Sequence, residues 1–165
     1  MKLPVFLLLL ICVGEIKAGN LLDAEKQKTF ERRLQADGFV LHDHGNLKRL
    51  KRSRLAAPGV GILEKIDLRP DSSGDIYALR SCITCSLETT KNTTKNLEAS
   101  KNDAVEDLIS IVFPSEQMAL EVRSFILKNR NSTTPTMQDF EGVRVKVEAR
   151  NCGVWWRWRI EMSIS

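Results

Sequence analysis

From Val143 to Arg150 apolar and charged residues alternate, and they alternate again from Trp156 to Ile164, with Asn151-Cys152-Gly153-Val154 between the two runs. Period-two alternation is the signature of a strand with one buried face, so the pattern predicts a C-terminal β-hairpin. Cross-strand pairing selects its register. Setting Ala149 against Trp156, Val147 against Trp158 and Val145 against Ile160 also sets Glu148 against Arg157 and Arg144 against Glu161. A slip by one position would oppose valines with arginines. In this register Cys152 stands at the hairpin tip.

Ile62–Leu68 and Asp75–Leu87 read as two further strands, separated by a turn that contains Pro70 and Gly74. Met118, Ala119, Val122, Phe125 and Ile126 fall on one helical stripe, with Ser115 placed to cap it, Glu116 in its first turn and Lys128 in its last. Leu108–Phe113 is rich in β-branched residues and stops at Pro114, which predicts a strand, although Ala104, Val105, Leu108, Ile111 and Val112 also fit a helical face. Thr89–Lys101 is polar without an apolar period and reads as a loop. Residues 20–45 carry one short amphipathic helix at most. The expected fold is α+β: a small antiparallel sheet whose C-terminal hairpin packs on one main α-helix.

The N-terminus changes what this domain is expected to be. Met1-Lys2, an apolar run from Leu3 to Val13 and a small residue at Ala18 form the pattern of a secretory signal peptide over residues 1–18. That run is too short to span a bilayer, so a secreted, extracellular product is expected. Further on, Arg49-Leu50-Lys51-Arg52 has the cation spacing that furin-type convertases read with acidic subsites. Cleavage there would make residues 19–52 a pro-segment and residues 53–165 the mature domain. His42-Asp43-His44 in that segment reads as a polar surface turn, with acid sensing as the sharper alternative.

The formal net charge of +4 lies entirely in residues 1–52, which hold ten of the 25 Lys and Arg against six of the 21 Asp and Glu. The remainder sums to zero, which argues against a nucleic-acid partner. The remainder also lacks histidine, both being at 42 and 44. His-dependent nucleophilic catalysis and histidine metal sites are thereby excluded from it. No enzyme, no cofactor and no metal are expected.

Cys82, Cys85 and Cys152 are an odd set in an oxidising compartment, so one intramolecular bond, taken as Cys85 to Cys152, leaves Cys82 for a disulfide-linked homodimer. A redox role for Cys82-Ile83-Thr84-Cys85 is weakened because the flanks read as strand, not helix. Asn92 and Asn131 open N-x-Thr acceptor sequences in polar stretches and are expected to be glycosylated. Within Trp155-Trp156-Arg157-Trp158-Arg159, alternation turns Trp156 and Trp158 toward the core and leaves Trp155, Arg157 and Arg159 as the binding surface. The reading that follows is a processed extracellular protein, such as a signalling factor or toxin-like effector, acting through a protein receptor. The alternatives are a membrane-active or antimicrobial effector using the Trp/Arg hairpin, and a secreted dithiol redox protein.

Overall fold

The computed structural model describes residues 19–57, 60–86, 91–152 and 155–165. Helix α1 (Ala24–Ala36) leads into strands β1 (Val40–Asp43), β2 (Lys48–Ala57), β3 (Val60–Pro70) and β4 (Ile76–Ser86). Helices α2 (Lys91–Val112) and α3 (Glu116–Asn129) follow, then strands β5 (Thr136–Phe140), β6 (Val143–Cys152) and β7 (Trp155–Ile164). The strands form one seven-stranded antiparallel sheet in the order β1-β2-β3-β4-β7-β6-β5. Two meanders, β1 to β4 and β5 to β7, are therefore joined by the single ladder between β4 and β7. The α+β class holds, on a sheet that extends into both the N-terminal segment and residues 136–140.

One face of this sheet is apolar and the helices lie on it. Leu50, Ile62, Ile66, Leu68, Leu79, Ile83, Val145, Val147, Trp158, Ile160 and Met162 are all buried there. Helix α2 crosses β2 and β4, and α3 covers β5 and β6. Phe30 and Leu34 carry α1 into the same core, and Arg33 bonds across to Asp107 of α2 at 2.6 Å. Burying one such aliphatic side chain is worth about 1.5–3 kcal/mol, so this interface supplies the main driving force for folding.

Local signals account for most boundaries. Asp23 caps α1 by accepting from the Lys26 N–H at 2.8 Å. Ser115 caps α3 through the Met118 N–H, as the stripe predicts. The β3–β4 turn is closed by the Asp71 carboxylate, which accepts from the backbone N–H groups of Ser73 and Asp75. These bonds hold that carboxyl below its ordinary pKa, the Ser73 hydroxyl foremost. Between β5 and β6, Glu141 and Gly142 both have positive φ, 46° and 82°. Such a pair suits the twist of a two-residue hairpin.

Three expectations are corrected. Leu108–Phe113 is no strand: its first five residues end α2, and Leu97, Ala104, Val105, Leu108, Ile109 and Val112 are buried at spacings of one to seven that a helix brings to one side. Packing against the sheet outweighs the β-propensity of the apolar run. The polar stretch read as a loop is the first half of the same helix from Lys91 onward, where Leu97, Ser100 and Lys101 turn inward. The hairpin register is shifted by two: Ala149 opposes Trp158, Val147 opposes Ile160, Val145 opposes Met162 and Glu148 opposes Arg159. A two-residue slip preserves the faces, so the core tryptophan is right while its partner differs. Cys152 is accordingly the last residue of β6, opposite Trp155, rather than the tip. The segment expected to be a signal peptide and the connection at Gly153-Val154 lie outside the described residues.

Candidate functional site: the open face of the sheet

Strand alternation puts every second residue on the face opposite the helices. That face carries Arg49 and Lys51 on β2, Lys65 and Arg69 on β3, Arg80 on β4, Arg157 and Arg159 on β7, and Arg144, Lys146 and Arg150 on β6. Its carboxylates are Asp67, Glu161, Glu148 and Asp139. Among the described residues ten cations thus face four acids, and the helices lie on the other side. The zero net charge of residues 53–165 averages over this segregation: α2 carries Glu98, Asp103, Glu106 and Asp107 on the helical side.

Three of the acids are matched one to one. Arg49 grips Asp67 with Nε at 2.6 Å and Nη2 at 2.9 Å, which raises the guanidinium pKa further. Arg80 bonds Glu161 at 3.2 Å, and Arg144 bonds Asp139 at 2.9 and 3.2 Å. The fourth acid, Glu148, is 6% exposed and serves two partners: Arg150 at 3.1 Å and Arg159 at 3.7 Å. Together with Arg157 these residues line a small cleft on the face. The Nε of Arg159 is buried there without a hydrogen-bond partner among the described residues.

Two cross-strand pairs on this face oppose like charges. Arg150 stands opposite Arg157 on the β6–β7 ladder, and Lys51 stands opposite Lys65 on the β2–β3 ladder. Like charges directly across a ladder are destabilising by roughly 0.2–1 kcal/mol. A face selected for stability alone would alternate signs at such positions.

The sequence-derived residues distribute as follows. Trp155, Arg157 and Arg159 are on the open face, with Trp155 49% exposed. Trp158 is 1% exposed in the core, and Trp156 lies beside it against α2. There the ammonium of buried Lys101 sits 4.5 Å from the Trp156 ring centre and 2.7 Å from the Glu98 carboxylate. Arg49, Lys51 and Arg52 are mid-strand in β2, where Arg49 and Lys51 are ladder-paired to both β1 and β3 and Arg52 to β3. Arg52 turns to the helical side, where it pairs with buried Glu64, donates to the Asp37 carbonyl at 2.8 Å and stacks over Phe39 at 4.2 Å.

The three cysteines among the described residues, Cys82, Cys85 and Cys152, are free. Cys85 is buried on the core face and Cys152 exposed on the open face, with β7 between their strands, so the Cys85–Cys152 bond is not made. Burial raises the Cys85 thiol pKa, which opposes thiolate chemistry. Cys82 faces outward, half-buried, beside Thr84. Asn131 is exposed in the turn after α3, whereas Asn92 belongs to the first turn of α2.

Sequence reasoning missed Lys65, Lys146, Glu148 and Arg150 as members of one surface. Their signal was present as alternation: Arg144, Lys146, Glu148 and Arg150 occupy every second position. Among the described residues no cluster of His, Cys, Asp and Glu could hold a metal, and no helix is long and apolar enough to cross a membrane. Compared with protein-family descriptions, curated proteins and solved structures, the chain matches none of them.

Proposed function

We propose that this chain is an extracellular binding protein, not an enzyme, and that it engages an acidic partner through the open face of its sheet. The observation that carries the reading is the pair of opposed like charges, Arg150–Arg157 and Lys51–Lys65, on a face already rich in cations. Positions that break a local stability rule are where function is to be sought. Electrostatic complementarity then supplies orientation and rate of encounter. The N-terminal signal pattern supports placement outside the cell.

Residues 19–52 belong to the working protein in this reading, because β1 and β2 complete the sheet and Arg49 and Lys51 stand on its face. The test is binding of labelled, secreted protein to cells. Lys65→Glu and Arg157→Glu are expected to lower binding at least tenfold, while Arg123→Gln on the helical side leaves it unchanged. Equal binding by all three variants would overturn the proposal.

A further inference from the structure

We infer that Arg150, Arg157 and Arg159 form a subsite for a sulfate group of a sulfated polysaccharide, with Lys65 and Lys51 holding the same chain farther across the sheet. This deepens the reading of the open face as the binding surface and rests on it.

The subsite is short of negative charge. One carboxylate, Glu148, lies among three guanidinium groups, bonded to Arg150 at 3.1 Å and near Arg159 at 3.7 Å. Because Glu148 is buried, it acts as a fixed counter-charge that orients two of the arginines instead of moving to neutralise all three. Arg157 makes no ion pair among the described residues, and its cross-strand neighbours are Arg150 and Thr84. The buried Nε of Arg159 is a donor without an acceptor. A tetrahedral oxyanion supplies several acceptors at once, and the planar guanidinium fork matches two of them. It would bridge the guanidinium groups that line the cleft and relieve the Arg150–Arg157 repulsion in one step.

The wider face favours a chain of anions over a single one. Lys51, Lys65, Cys82 and Arg159 follow one another across β2, β3, β4 and β7 in one row, and Arg157 and Arg150 occupy the adjacent row across β7 and β6. At about 4.8 Å per strand, the distance from β2 to β6 is about 19 Å. An extended polyanion crossing the strands meets Lys51 and Lys65 on β2 and β3, then Arg159, Arg157 and Arg150 on β7 and β6, with the uncharged Cys82 of β4 between the two groups. Single-stranded nucleic acid is the less favoured occupant, because sheet-bound bases stack on aromatic side chains in the middle of a sheet. Here Trp155 is the face's indole, at the very start of β7.

The experiment is titration calorimetry of the full secreted chain with four probes: heparin, the same polymer fully desulfated, an oligothymidylate strand, and phosphatidylserine vesicles. Heparin is expected to bind with an affinity that weakens steeply with added NaCl, and the other three at least tenfold more weakly. Arg150→Gln/Arg157→Gln/Arg159→Gln should weaken heparin at least thirtyfold, with Arg123→Gln as the unaffected control and thermal unfolding confirming that each variant folds. Lys65→Gln tests the outer half of the path if the triple variant does not fold, with an expected loss of about threefold to tenfold. Unchanged heparin affinity in the folded variants, or equal affinity for the oligothymidylate or the vesicles, would overturn the inference. Cell binding after enzymatic removal of sulfated polysaccharide separates the two levels. Binding that survives removal but is lost in Arg157→Glu keeps the surface and discards the polysaccharide, whereas binding insensitive to Arg157→Glu discards both.

Discussion

Replacing Arg157 by Glu is expected to stabilise the protein while abolishing its proposed use. Arg157 opposes Arg150 on the β6–β7 ladder, and both side chains point to the open face. Two unit charges about 6 Å apart in water repel by roughly 0.7 kcal/mol, which falls within the range of roughly 0.2–1 kcal/mol for directly opposed pairs. Arg157→Gln removes that repulsion alone. Arg157→Glu also converts it to an attraction, offset in part by Glu148 two residues along β6, so its gain is about 0.5–1 kcal/mol. For a chain of this size that is about 1–4 °C in Tm. Thermal unfolding followed by circular dichroism at 20 mM and at 1 M NaCl provides the assay, because screening should shrink the gain to near zero at the higher salt. A Tm lowered by the Glu variant, or a gain that persists in 1 M NaCl, would refute the electrostatic account and imply that the Arg157 stem stabilises the sheet by packing.

Other perturbations have equally definite outcomes. Trp158→Ala removes a side chain 1% exposed between Ile83 and Ala149 and is expected to cost about 3–5 kcal/mol in a denaturant titration. Edman sequencing of secreted protein should start near Gly19 or Asn20 with Arg49–Arg52 intact, and Ser53 as the sole N-terminus would remove β1 from the working molecule. The hydrogen bond from Arg123 lowers the Glu106 pKa below 4.5, so the pair's contribution is present above that value and fades as pH falls through the folded pKa. Arg123→Ala should flatten that acid limb only slightly, because solvent screens the exposed pair. Asp107 has the opposite sign: burial raises its pKa above 3.8, so its contribution is full below that value and lost as pH rises through the folded pKa, and Asp107→Asn should flatten stability on that side. Thiol labelling should modify Cys152 first and Cys85 last, and any covalent dimer in non-reducing electrophoresis should vanish with Cys152→Ser.

Elements whose two faces differ were legible in the sequence. Strands β3, β4, β6 and β7 and helix α3 each pair a clear period with turn or cap chemistry, so their kind and even the inward side of Trp158 could be read. Helix α2 was not legible as one element because its polar first half and its β-branched second half pull a window-based reading in different directions. Only the shared line of Leu97, Ala104, Val105 and Leu108 against the sheet unites them. Strand β2 was hidden for a different reason: its cations form a processing pattern when read linearly, and become ladder partners of Asp67, Lys65 and Glu64 once β3 lies alongside. The charged open face shared that fate, since charges far apart in sequence become one surface only through the order of the strands.

The β4–β7 ladder also sets the order of events during folding. Within each meander, neighbouring strands are joined by short connections, but Ala78 must find Ser163 and Ser86 must find Trp155 across two helices and two strands. Loop-closure entropy makes such long-range pairing late and slow relative to hairpins and helices. Lys51 and Lys65 belong to one side of that seam and Arg150, Arg157 and Arg159 to the other. Neither half alone presents the full row of cations. Recovery of polyanion affinity during refolding is therefore expected to lag behind recovery of helical signal, which makes ligand capture a clock for the closing of the sheet.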